Sequence, residues 1–218
     1  MDADEIHTPR LLLKQLQTND AGTQDLEWFH HVWSNDQATQ WSYHGPCKTR
    51  EESQKWMAGV LPRNAMGSEA KIAVAVLCKL SGDTAAPHNS DDDWEAAGII
   101  TLLQTDFKLP TEEPPEPDSS SKNTAVKLGY LFHPASWGKG YATESLLEFL
   151  RVYQEESEAR KRGVRVHICG NVHGDNVKSL RVMEKLGFEE VGRYKQEGRL
   201  PLREDTTKDT VVHFRMKH

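Results

Sequence analysis

Two spacings of apolar residues divide the chain. Continuous, β-branched-rich runs at 71–80 (KIAVAVLCKL) and 94–104 (WEAAGIITLLQ) predict buried strands. Residues 10–16 (RLLLKQL) predict a strand before them, and 129–133 (GYLFH) one after. Val164, Val166 and Ile168 alternate in a fifth strand over 164–169, and 188–196 and 210–216 read as closing strands. A helical period appears instead over 20–35, where Leu26, Phe29 and Trp33 share a face and Asp20 is the expected N-cap. A short second helix starts at Thr49, with Glu52 three residues on in a capping-box pattern. From Tyr141 onward, Ala142, Leu146, Phe149, Leu150 and Tyr153 form one stripe. A last helix over 176–186 is stopped by Gly187. The order β-α-α-β-β-β-α-β-α-β-β predicts an α/β layer with helices on both faces. Two polar stretches, 81–93 and 106–124, interrupt the strands. The second is rich in Pro, Ser and acid, and both read as loop insertions in a single domain spanning 1–218, with 111–124 expected to be mobile.

Composition narrows the function. A net charge of −6 over 218 residues disfavours non-specific nucleic-acid binding. No apolar run approaches the roughly 20 residues of a membrane span, and the acidic start MDADEIHTPR is not a signal peptide. Cys47, Cys78 and Cys169 show no CxxC spacing, which suggests reduced thiols in the cytosol or nucleus, with the cytoplasm as the expected location. Cys169 reads as a buried, inert thiol. Ten histidines lack ligand spacing, so no metal is expected.

Candidate chemistry concentrates in WGKGYATE, Trp137 to Glu144. Gly138 and Gly140 bracket Lys139 between a strand and a helix. Glycines there let the backbone approach a ligand, and the helix start offers unpaired N–H groups and the positive end of its dipole. Such a turn is a pyrophosphate seat. It lacks both GxGxxG and the P-loop Lys-Ser/Thr, which ranks a nucleotide fold low.

HPASWGKGYATESL followed by NVKSLRVMEKLGFEEVG resembles the GNAT superfamily of acyl-CoA-dependent N-acetyltransferases, and most of all the branch containing ribosomal-protein N-terminal acetyltransferases. The family's turn begins with Gln or Arg, where this chain has Trp137. The resemblance implies a single GNAT-like domain whose central sheet is mixed and mostly antiparallel, with helices on both faces. Its fourth and fifth strands (β4/β5, here 129–133 and 164–169) should form a splayed parallel pair. It implies acetyl-CoA as co-substrate, a primary amine as acceptor (protein or small molecule), and a monomer or homodimer with no membrane or nucleic-acid partner. Backbone from Gly138, Lys139, Gly140, Tyr141, Ala142 and Thr143 would take the pyrophosphate, and the edge of Leu131, Phe132 and His133 the pantetheine. A backbone N–H near Phe132 would polarise the thioester carbonyl.

The resemblance also gives Asn176 a contact to the pantetheine arm and makes Ser179 a proton donor to the leaving thiolate. Asn176 reads equally as an N-cap and Ser179 as an ordinary helix residue. Tyr194 lies too far along the chain to match the tyrosine that acts as acid elsewhere in the superfamily. For the base, His133 titrates in the useful range, although the His-Pro pair also serves as a strand exit. Glu95, acting through a water, is the alternative. Trp41, Tyr43 and His44 fall in the loop that would border the acceptor cleft. A non-catalytic acyl-CoA-binding module is the competing reading.

Overall fold

The computed structural model describes residues 5–62, 71–79, 94–105, 124–160, 166–197, 200–203 and 208–217. Both polar insertions expected near 81–93 and 106–124, and the mobility expected of 111–124, lie essentially outside the described residues. The elements are β1 (Glu5–His7), β2 (Leu11–Gln15), α1 (Gln24–Trp33), α2 (Asp36–Thr39), α3 (Arg50–Met57), β3 (Lys71–Lys79), β4 (Trp94–Thr105), β5 (Thr124–Phe132), α4 (Tyr141–Arg160), β6 (Val166–His173), α5 (Val177–Lys185), β7 (Phe188–Glu197) and β8 (Lys208–Met216). The strands form one sheet in the order β1-β2-β3-β4-β5-β6-β8-β7. Every pairing is antiparallel except β5 with β6.

The sheet is mixed and mostly antiparallel, as the resemblance implies, but the parallel pair is β5/β6 and not β4/β5. The count shifts because Glu5–His7 forms an edge strand ahead of the first one expected. Three residues with a single buried side chain, Ile6, carry too little periodicity to be seen in sequence. The pairing also lies upstream of the expected stretch. Thr124 to Leu128 pair with Val166 to Gly170, so separation begins at Gly129, the first residue of the 129–133 segment expected to pair with 164–169.

Helices cover both faces. Leu26, Trp28, Phe29 and Val32 of α1 and Met57 of α3 pack with Leu12, Ala73, Ala75, Leu77 and Ile99 on one side. On the other, Leu146, Phe149, Leu150 and Tyr153 of α4 and Met183 of α5 join Leu13, Val74, Ile100, Val126, Leu128 and Phe214. The α4 stripe is therefore the one expected from its spacing.

Helix starts differ in detail from the sequence reading. Thr23, not Asp20, precedes α1, and Asp20 instead closes a turn by accepting from the Thr23 N–H and hydroxyl. Thr49 caps α3 by accepting from Glu52 N–H, while the Glu52 carboxylate reaches back to Lys48 N–H at 2.6 Å. The four-residue α2, capped by Asn35 through Ala38 N–H, had no signal because one turn shows no period.

Candidate active site

The glycine turn stands between a short 3-10 turn (Pro134–Ser136) and α4. Gly138 has φ 76° and Gly140 φ 82°, a left-handed region that costs other residues roughly 1–2 kcal/mol. The first helical bond runs from Glu144 N–H to the Gly140 carbonyl at 3.0 Å. The N–H groups just before Glu144 are then beyond intrahelical reach and suit an anion. Cations surround this seat. Arg10 lies 4.9 Å and Lys139 5.7 Å from the Tyr141 ring centroid, and Lys178 lies 4.1 Å from that of Trp137. A side chain at Gly140 would meet the Arg10 guanidinium at 3.3 Å.

One carboxylate also enters the first turn of α4. Glu144 accepts from Thr8 Oγ1 (2.7 Å), Arg10 N–H (3.2 Å), Arg10 Nε (2.8 Å) and Arg10 Nη2 (2.5 Å). Burial pushes its pKa up, but the bonds from Thr8 and Arg10 and the Arg10 charge outweigh it and hold the group below the usual carboxylate value. The β1–β2 turn is thus latched to the anion seat.

Beyond Leu128/Gly170 the parallel strands part company. β5 stays paired with β4 through Phe132, and β6 stays paired with β8 through His173. His133 N–H donates to the Ala97 carbonyl at 2.9 Å, on the β4 side. By antiparallel alternation, the N–H groups of Phe132 and Tyr130 face the other edge, into the slot. Gly98 permits this arrangement, since a side chain there would meet the Phe132 ring at 2.6 Å. Trp137 spans the turn, its indole N–H donating to the Phe132 carbonyl at 2.8 Å. The departure from Gln or Arg at this position therefore gives the side chain a structural task. Across the slot, Asn176 caps α5 by accepting from Ser179 N–H at 3.2 Å, and Ser179 Oγ lies 2.6 Å from Tyr130 Oη.

A polar cluster sits where β5 ends. His133 stacks on His31 of α1 at 4.5 Å. His31 Nε2 lies 3.5 Å from Glu95 Oε1, and Asn35 Nδ2 lies 3.3 Å from His133 Nε2. Burial pushes the His133 pKa down, the neighbouring His31 adds to this, and Glu95 opposes. The surroundings also disfavour the imidazolium. With Nδ1 accepting from Ala135 N–H, the neutral ring carries its proton on Nε2, beside Asn35 Nδ2 at 3.3 Å, and a second proton on Nδ1 would displace the Ala135 donor.

The expected cleft residues diverge. Trp41 stacks against His173 at the end of β6 (4.8 Å) and under Arg203 (4.5 Å), whose guanidinium lies 3.8 Å from Asp175. Pro201 packs on the Gly45 turn, so the 200–203 segment bridges to the 41–45 loop. Tyr43 is exposed. His44 turns away to stack on Trp56 at 4.0 Å. There His44, Pro46, Glu52, Lys55 and Trp56 line a cavity of about 460 Å³ that includes no residue of the glycine turn or the slot.

Sequence reasoning missed four participants. Tyr130 lay inside a recognised strand, and its period-two relation to Phe132 was the available signal. His31 was only one of ten histidines without ligand spacing. Arg10 and Thr8 had no signal, being over 130 residues from Glu144. The cysteines are free, and burial raises all three thiols. Among the described residues, no group of three His, Cys, Asp or Glu side chains could hold a metal, and no helix is long and apolar enough to cross a membrane.

Residues 10–189 match the family model for the acetyltransferase (GNAT) domain. The chain belongs to this family and is an acetyl-CoA-dependent acetyltransferase. No curated protein matches the chain. Among solved structures, it is similar to an acetyltransferase of the GNAT family from Bacillus anthracis, with 16% identity, 97% of each chain covered and a TM-score of 0.64. It is similar to RimL, a ribosomal L7/L12 alpha-N-protein acetyltransferase (18% identity, 98% of this chain, 94% of the other, TM-score 0.64). It is also similar to spermidine N-acetyltransferase from Vibrio cholerae in complex with CoA and spermine (18% identity, 96% of each chain, TM-score 0.61). At these identities the likeness is one of fold.

Proposed function

We propose that the protein transfers the acetyl group by direct attack of a primary amine on acetyl-CoA held in the β5/β6 slot. The observation that carries this reading is the separation of β5 from β6 after Leu128/Gly170, with the glycine turn at its head and the His31–Glu95–His133 cluster at the end of β5. Backbone N–H groups from Gly138 to Thr143 take the pyrophosphate, and the slot-facing edge of β5, where the Tyr130 and Phe132 N–H groups turn away from β4, carries the pantetheine. Asn176 keeps its carbonyl on its own helix, which leaves its NH2 for a pantetheine carbonyl. Phe132 N–H polarises the thioester carbonyl as the tetrahedral oxyanion forms, and Ser179 donates to the departing sulfur.

The amine must lose a proton before it attacks. Glu95 and His133 are the acceptors at the mouth, with Glu95 acting through a water. Burial lowers the His133 pKa and so favours the neutral ring. An α-amine, with a pKa of about 7.7–8.0, asks less of this pair than a lysine near 10.4. The acceptor approaches past Trp41, with Tyr43 and His44 on the outer part of the same loop. RimL and the spermidine enzyme, alike to this chain in fold, put protein N-termini and polyamines together among the amines to be tried.

The test is in two parts. Acetyl-CoA should raise the thermal midpoint by mass action, and single-turnover thiol release should then be measured across peptide α-amines, lysine side chains and polyamines. Release with one class and not the others identifies the acceptor. A thermal shift with no thiol release from any amine would overturn direct transfer to an amine and leave an acyl-CoA-binding module.

A further inference from the structure

Tyr130 stands on β5 two residues before Phe132, and its phenol crosses to the first turn of α5. Its Oη lies 2.6 Å from Ser179 Oγ and 3.2 Å from the Ser179 carbonyl oxygen. Burial pushes its pKa up to about 12, with the Ser179 bond pulling the other way, so the phenol keeps its proton through the neutral range. That single proton has two possible acceptors. If it goes to the carbonyl, the Ser179 proton is turned back onto Oη. If it goes to Oγ, the Ser179 proton is released to point elsewhere. The carbonyl has a helical N–H partner of its own within α5, and the hydroxyl contact is the shorter of the two.

We propose that Tyr130 is a positioning residue: by donating to Ser179 Oγ it aims the Ser179 hydroxyl proton into the slot, at the sulfur of CoA. Without that bond, a serine in a helix can turn its hydroxyl onto a carbonyl three or four residues back, and the first such helical carbonyl here is that of the N-cap Asn176. The pair works as a polarised hydrogen-bond donor, not as a complete proton relay. A thiol near 8.5 is a far stronger acid than an aliphatic hydroxyl or this phenol, so both protons stay on oxygen. As the C–S bond breaks, its electron pair settles on sulfur under the Ser179 hydrogen bond. The new N–C bond forms at the carbonyl carbon; one proton has left the ammonium for the acceptors at the mouth before attack, the nitrogen loses its second to water afterwards, and water later reprotonates the thiolate. This inference rests on the acetyl-CoA slot proposed above.

The experiment needs no acceptor amine. Free CoA is bound to the full chain, and the ultraviolet absorbance of its thiolate is followed against pH. In wild type the bound thiol should titrate roughly one unit below free CoA, the effect of one hydrogen bond to the charged form. Ser179→Ala should return it to the free value. Tyr130→Phe should remove about half of the shift, and the double variant should match Ser179→Ala, because Tyr130 acts only through Ser179. Below pH 7, where the thiol is protonated, CoA affinity should hold within about two-fold in Tyr130→Phe, and above the free thiol pKa Ser179→Ala should lose up to about ten-fold, as linkage requires. A fluorotyrosine at position 130, a more acidic donor, should lower the bound thiol further, and this variant keeps the test decisive if Tyr130→Phe fails to fold. A wild-type thiol pKa in Tyr130→Phe, a Tyr130→Phe effect that persists in the Ser179→Ala background, or a fluorotyrosine shift of the opposite sign overturns the proposal. Wild-type protein that fails to bind CoA overturns the slot itself, and the role of Tyr130 with it.

Discussion

Replacing Arg10 with alanine removes a cation from the rim of the anion seat and leaves the Glu144 carboxylate facing it without a counter-charge. In the native protein, Arg10 holds Glu144 through three N–H donors, and the Glu144 side chain is only 18% exposed. Half of the Arg10 side chain is exposed, so the pair is screened and worth about 1 kcal/mol to folding, a fall of about 2–4 °C in thermal midpoint for a chain of this size. The effect on CoA is electrostatic. One unit charge about 8 Å from two phosphate charges in a water-like dielectric contributes about 1 kcal/mol, which salt reduces further. Arg10→Ala should therefore raise the Kd for CoA about three- to five-fold at low ionic strength and less in 0.5 M salt. Glu144→Gln removes the competing anion and frees Arg10, so it should leave CoA affinity unchanged or tighten it. Calorimetric titration of both variants at two salt concentrations measures the contrast. Wild-type affinity in Arg10→Ala at low salt, or weakened binding in Glu144→Gln, would refute the idea that this latch keeps the seat positive.

Two further outcomes follow from the same geometry. Gly140→Val forces a β-branched residue to φ 82°, within 3.3 Å of the Arg10 guanidinium, and should abolish the thermal shift produced by acetyl-CoA. An undiminished shift would mean that the turn does not contact the cofactor. Acidification should destabilise the protein in two stages. His133, His30 and His213 have pKa values lowered chiefly by burial. Their unfolded forms take up protons near pH 6.5 while the folded forms do not, so stability is full above that value and falls as pH drops toward the folded pKa values. Below about 4.5, Glu144, Glu27 and Glu190, held low by their arginine partners, add a second decline. Chemical denaturation from pH 8 to 4 would show the first stage. Stability flat between pH 7 and 5 would contradict it.

The local code of this chain is strong where one element decides its own conformation. The continuous apolar runs of β3 and β4, the α4 stripe of Leu146, Phe149, Leu150 and Tyr153, and the positive-φ glycines at 138 and 140 each follow from the residues themselves, through periodicity and backbone sterics. So does the capping of α3 by Thr49 and of α5 by Asn176. The family also follows from sequence, because the glycine turn and the Asn176–Ser179 helix recur at a fixed spacing. What the chain hides is whatever depends on two distant segments meeting. Strand β1 exists because Glu5–His7 finds an edge in β2, and that pairing shifted the parallel pair to β5/β6. β5 and β6 separate after Leu128 and Gly170 while β4 and β8 keep hold of them on opposite sides, a pairing between segments far apart in the chain. Arg10 reaches Glu144, His31 reaches His133, and Tyr130 reaches Ser179 only once the sheet has closed and its helices have docked. Hydrogen bonds and charges act over a few ångströms of space and carry no mark in the sequence between their partners, so the site's scaffold was legible and its chemistry was not.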